Sequence, residues 1–86
     1  MGPVDKVIQL YEKLLDEVSA FPSEDWALRR RTSNAALRLL QAQLLHHDEH
    51  AKHGIENPLT SEHRASVKKA IELRREIYRR RKEMRL

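Results

Sequence analysis

Eighty-six residues are enough for one domain; 40% are hydrophobic, 35% are charged, the net charge is +4 and there is no cysteine. That composition excludes a disulfide framework, a thiolate nucleophile and a thiolate zinc site. No apolar run approaches the roughly 20 residues of a membrane span.

A chain this short buries only about two-thirds of its unfolded surface, so its core is thin. Helical periodicity with just two glycines and three prolines points to helices rather than sheet or disorder. The opening Met-Gly-Pro-Val-Asp-Lys does not read as a leader peptide or a myristoylation site, and an intracellular setting, cytoplasmic or nuclear, is expected.

Pro3 suits a first helical position, where its missing N–H has no partner to lose. Val4, Val7, Ile8, Tyr11, Leu14, Leu15, Val18 and Phe21 then recur at i, i+3, i+4, i+7, with Asp5, Lys6, Glu12, Lys13, Asp16 and Glu17 between them. The pattern predicts a one-faced amphipathic helix over about 3–21. Pro22 ends it, because the residue before a proline is pushed out of the α region.

Ser23 stands where an N-cap belongs, and Glu24 and Asp25 place negative charge at the positive end of the next helix dipole. A second helix is predicted over 24–53. A fresh cap at Ser33 or Asn34 would divide it, but neither Gly nor Pro interrupts the run, so one long helix is preferred. Its stretch from Asn34 to Ala51 shows two apolar sides. Leu37, Leu40, Leu44 and Ala51 fall on one, while Ala35, Leu39 and Ala42 fall nearly opposite. Gly54 then occupies the position of a left-handed C′ residue.

Thr60 or Ser61 is placed to cap the last helix, with Glu62 in its first turn and Leu59 available as a hydrophobic staple. Val67, Ala70, Ile71, Ile77, Tyr78 and Met84 form its stripe, and His63, Arg74 and Arg81 fill the gaps. The prediction is a helix over 60–85. The fold class is therefore all-α: a small antiparallel three-helix bundle with a long central second helix. Its core should comprise Val7, Ile8, Tyr11, Leu14, Leu15, Val18, Leu37, Leu40, Leu44, Val67, Ala70, Ile71 and Ile77.

Five histidines raise the question of metal. His46, His50 and His53 project from one side of the second helix beside Glu49, and His at i, i+4 can chelate a divalent ion. No other helix supplies a matching His or carboxylate pair, and the three lie opposite the leucine face. They are read as solvated residues, with no metal site and no cofactor expected; His47 is read as an edge-of-core residue. Arg30-Arg31-Thr32-Ser33 has the outline of a basophilic kinase site, yet a site inside a folded helix is out of a kinase's reach, so it reads as a solvated basic face.

From Arg74 to Leu86 there are seven basic residues and two acidic ones, a net of +5, so the other 73 residues sum to −1. Arg74, Arg75, Arg79, Arg80, Arg81 and Lys82 are thus the candidates for gripping a polyanion, although aromatic residues for stacking bases are few. No nucleophile–base pair or phosphate-cradling loop occurs, so no enzyme and no catalytic residue is expected.

The second and third helices should outrun the first and leave a groove along part of their length. The functional expectation is a protein-interaction module, an adaptor or scaffold, that takes a partner helix or peptide, or a second copy of itself, with Trp26, Ala35, Leu39 and Ala42 as contact residues. Binding of nucleic acid or an anionic surface by the basic end is the alternative, and no membrane span is expected.

Overall fold

The computed structural model describes residues 3–84, and three helices make up the described chain: α1 (Pro3–Glu17), α2 (Ser23–Lys52) and α3 (Thr60–Glu83). All three pack on one another, which makes the expected all-α three-helix bundle. The rod they form measures 53 × 21 × 17 Å. Arg85 and the side chain of Val4, both included in the expected helices, lie outside the described residues.

The α1 helix stops earlier than its apolar pattern predicts. Val18–Ala20 form a turn, with the Ala20 amide donating to the Glu17 carbonyl at 2.9 Å, and Phe21-Pro22 leads into α2. Pro22 has no N–H to offer the Val18 carbonyl, so the helix cannot continue its ladder there. Arg81 Nη1 donates to the carbonyls of Val18 (3.1 Å) and Phe21 (2.7 Å), so a side chain of α3 satisfies acceptors that the turn leaves without a helical partner. The run of apolar residues continues past the helix because Val18 is buried and Phe21 packs on the core from the turn.

The α2 helix runs unbroken through Ser33 and Asn34. Ser33 is buried, and its hydroxyl donates to the carbonyls of Arg29 (2.9 Å) and Arg30 (3.1 Å), so it bonds back into its own helix instead of starting a new one. Neither Ser23 nor Thr60 nor Ser61 caps a helix through its side chain. Before α3 the Asn57 side chain takes the turn role, accepting from the Leu59 amide at 2.8 Å, and Leu59 is exposed, not stapled to the first turn. At the other end of α2 the expectation holds. Gly54 has φ +79°, its amide donates to the Ala51 carbonyl, and the Ile55 amide reaches back to His50, the bond pair of a Schellman stop.

The direction of each helix follows from these contacts. Arg81, near the end of α3, meets the end of α1, and its guanidinium lies 5.3 Å over the ring of Trp26 at the start of α2. Helix α2 is thus antiparallel to both α1 and α3, which run parallel and share the most extensive of the three packing faces. The core comprises Ile8, Tyr11, Leu14 and Val18 from the first segment, Leu37, Leu40 and Leu44 from α2, and Val67, Ala70 and Ile77 from α3. Val7, Leu15 and Ile71, also expected there, are half-buried and pack against it, as do Trp26 and Leu73.

Polar groups tie the three helices together. The buried Tyr11 hydroxyl donates to the Ser33 carbonyl at 2.9 Å, and the neighbouring Asn34 amide donates to the Tyr78 hydroxyl, also at 2.9 Å. Buried His63 places Nε2 2.9 Å from the Leu40 carbonyl, so that nitrogen carries the proton.

Burial holds the Tyr11 hydroxyl above the ordinary value near 10, with the Ser33 bond opposing the shift only in part. An unfolded chain therefore loses that proton first as pH rises, and stability should fall as the pH climbs through and past the usual tyrosine range. Tyr11→Phe should cost about 0.5–1.5 kcal/mol near neutrality through its lost hydrogen bond. The gap between variant and unaltered protein should then narrow in melts run near pH 11. A gap that widens with pH would mean that Tyr11 ionises more readily in the folded chain.

Candidate interaction surfaces

The fold turns the two apolar sides of α2 in different directions. Leu37, Leu40 and Leu44 enter the core, whereas Leu39 is 64% exposed, between exposed Ala35 and Ala42. Leu28 (58%) and Leu45 (69%) lie further along the outer side, so its apolar positions are spread over 18 residues, about 25 Å of helix. Beside Leu28 the strip opens into a hollow of about 270 Å³ between α1 and α2, where Leu10 and Phe21 supply apolar walls and Lys13, Glu17 and Asp25 supply charge. Arg31, Arg38 and Gln43 edge the strip and are themselves exposed.

Beyond the start of α1, the facing sides of α2 and α3 are bridged by polar contacts. His63 meets the Leu40 carbonyl, the ring of His47 packs edge-on to that of His63 with centroids 5.2 Å apart, and Arg64 pairs with Asp48 at 2.6 Å. The apolar surface that the short first helix leaves over therefore lies on the outside of α2, not in the α2–α3 seam.

Trp26 does not join Ala35, Leu39 and Ala42. Nine residues separate it from Ala35, half a turn of rotation at 100° per residue, so it shares the side of Ser33 and Leu37. Half-buried, it meets Tyr78 edge-on with centroids 6.1 Å apart and lies beneath Arg81. Arg30 and Lys82 complete the wall of a cleft of about 200 Å³ around these rings. The spacing Trp26, Arg30, Ser33, Leu37 on α2 and Arg74, Ile77, Arg81 on α3 carried the signal for this cluster, since both runs keep one side of a helix.

The basic residues of α3 are divided among several tasks. Arg79 pairs with Glu76 and with Glu83 (2.6 Å to the latter), Arg80 pairs with Glu76 at 3.0 Å, and Arg81 is committed to the turn that follows α1. The Arg79 and Arg80 guanidiniums accordingly hold the Glu76 carboxyl below the usual carboxylate range. Arg74 is half-buried, and Arg75 and Lys82 form no ion pair among the described residues. The +5 end of the chain thus presents far fewer free cations than its composition suggests.

His46, His50 and His53 are exposed, and the rings of His46 and His50 stand 4.1 Å apart on the outer side of α2. No group of three potential metal ligands comes together among the described residues. Thr32 and Ser33 of the kinase-like motif both lie within α2, with Thr32 Oγ1 donating to the Leu28 carbonyl at 2.9 Å. No helix among the described residues is long and apolar enough to cross a membrane.

Compared with models of known families, with curated proteins and with solved structures, the chain matches none.

Proposed function

We propose that this chain is a non-enzymatic protein-interaction module, an adaptor or scaffold element, that docks an amphipathic partner helix along the outer side of α2. The observation that carries the reading is Leu39, exposed between two exposed alanines in a helix whose other side is fully engaged in the core. Two leucines eleven residues apart, Leu28 and Leu39, with small residues between and beyond them, present ridges and hollows at helical spacing. A second helix can approach such a surface closely enough for its own i, i+3, i+4 residues to interdigitate. Contiguous apolar surface on a small domain is otherwise a liability, which supports a role in binding.

Binding through the basic end of α3 is the lesser reading, because Arg79, Arg80 and Arg81 already hold protein partners. The test compares unaltered protein with Leu39→Asp in sedimentation of the purified chain and in capture from lysate. Placing a carboxylate on the strip should reduce self-association or partner capture ten- to a hundredfold, since burying one leucine is worth about 1.5–3 kcal/mol. Undiminished binding by a folded Leu39→Asp protein would remove the outer side of α2 as the interface. Added salt separates the two readings: apolar docking persists, whereas polyanion binding collapses.

A further inference from the structure

We infer that the cleft between the start of α2 and the end of α3 is a second binding site, one that takes an acidic linear peptide with a carboxylate next to an apolar side chain. It lies on the opposite side of α2 from the Leu39 strip and does not depend on that strip. Trp26 and Tyr78 form its floor, edge to face, and Arg30, Arg81 and Lys82 stand around them. The cleft continues past Trp26 and Arg81 into a wider hollow of about 470 Å³ with Phe21, Pro22 and Met84 on its walls. No carboxylate lines either hollow among the described residues. An apolar floor ringed by cations, without an internal counter-charge, complements a ligand that carries both an anionic and an apolar group.

The cations differ in how they are held. Arg81 is fixed by two carbonyl acceptors and by the Trp26 ring beneath it, so its charge is in place before any ligand arrives. Arg30 and Lys82 are exposed and form no ion pair among the described residues, which leaves their donors available. Arg29, one residue before Arg30, is drawn the other way and lies 5.4 Å over the Phe21 ring. Two exposed donors flanking one anchored cation match a single carboxylate, or two on neighbouring residues.

Nucleic acid fits this geometry less well. A strand needs cations spaced along its phosphates, but the neighbouring positions on α3 carry Glu76 and Glu83, which neutralise Arg79 and Arg80 and would repel a phosphate track. Stacking a base needs an open aromatic face, and Trp26 is covered by Arg81 while its neighbour Tyr78 meets it edge-on. The site is compact, suited to one anionic group and one side chain.

Trp26 is the sole tryptophan, so its emission reports directly on this cleft. The experiment titrates the full chain with a tryptophan-free octapeptide of alternating glutamate and leucine, with its glutamine analogue, and with an octamer of single-stranded uridylate. The expected result is a saturable change in Trp26 emission with the glutamate peptide alone. The change should weaken roughly tenfold or more in Arg30→Glu and in Lys82→Glu, both exposed substitutions checked for folding by circular dichroism. It should persist in Leu39→Asp and in Arg38→Glu, which alter the outer strip only; failure of the strip as an interface therefore leaves this result untouched, and the reverse also holds. Equal binding of the glutamine peptide, or no change up to about 1 mM glutamate peptide, overturns the assignment. Tighter binding of the uridylate overturns it in favour of nucleic acid.

Discussion

Leu40→Asp should leave the chain largely unfolded at 25 °C, while Leu39→Asp, one residue away, should melt within a degree or two of the unaltered protein. The two leucines are covalent neighbours with the same helix propensity, so only their surroundings separate them. Leu40 is 2% exposed and belongs to the core cluster, so an aspartate there would be buried among apolar side chains. Losing the leucine's packing costs about 2–5 kcal/mol, and burying a carboxylate adds several more unless it takes up a proton. Domains of this size have total stabilities at the low end of roughly 5–15 kcal/mol. Leu39 is 64% exposed, so its replacement changes little beyond a small loss of propensity. Thermal melts followed at the helix band decide the matter; an unfolded Leu39→Asp would place that residue in a core and withdraw the outer strip.

Leu37→Ala and Leu14→Ala should each cost roughly 2–5 kcal/mol as large-to-small changes in a close-packed interior. Leu37 is fully buried at the middle of α2 and Leu14 nearly so in α1, and with only ten buried hydrophobic residues in the cluster among the described residues there is little slack to collapse into either cavity. Leu37→Ala should fall toward the upper end, because its surroundings include the fixed bonds of Tyr11 and Ser33, which resist relaxation. Urea midpoints would measure this, and a midpoint unchanged for either variant would mean that the helix in question faces the wrong way.

The apolar spacing made all three helices legible, because 3.6-residue periodicity records which side of a helix is buried irrespective of what buries it. Every core residue expected from that pattern is buried or half-buried. Less legible were the features that depend on a distant partner. The turn after the first helix is held by Arg81, sixty residues on, and nothing local announces that a guanidinium will take its carbonyls. Ser33 and Asn34 have side chains that favour helix ends and so offered a second start, although the absence of Gly and Pro favoured the one long helix that is found. In place, one bonds back into its helix and the other joins Tyr78 across the bundle. Placing Trp26 with Leu39 ignored rotation along α2: the helical wheel already sets Trp26 half a turn from Ala35. The second apolar side, Ala35, Leu39 and Ala42, was legible from the same wheel. Two neighbouring helices could have covered both sides, so its exposure follows only from the packing, in which the core lies on the Leu37 side.

The parallel pairing of α1 with α3 has a bearing on the order in which the chain can assemble. Helices adjacent in sequence form their contacts early because the loop between them is short and cheap to close. Here the broadest packing face joins the two helices furthest apart in the sequence, and Arg81 secures the end of α1 only when nearly all of α3 has been made. During synthesis the hairpin of α1 and α2 emerges with Ile8, Tyr11, Leu14 and Leu37 still open to water, waiting for Val67, Ala70 and Ile77 to cover them. The first two helices alone therefore leave much of their apolar face uncovered. Until α3 leaves the ribosome, the exposed leucines of the first two helices are the surface on which a holding chaperone, or an untimely neighbour, would act.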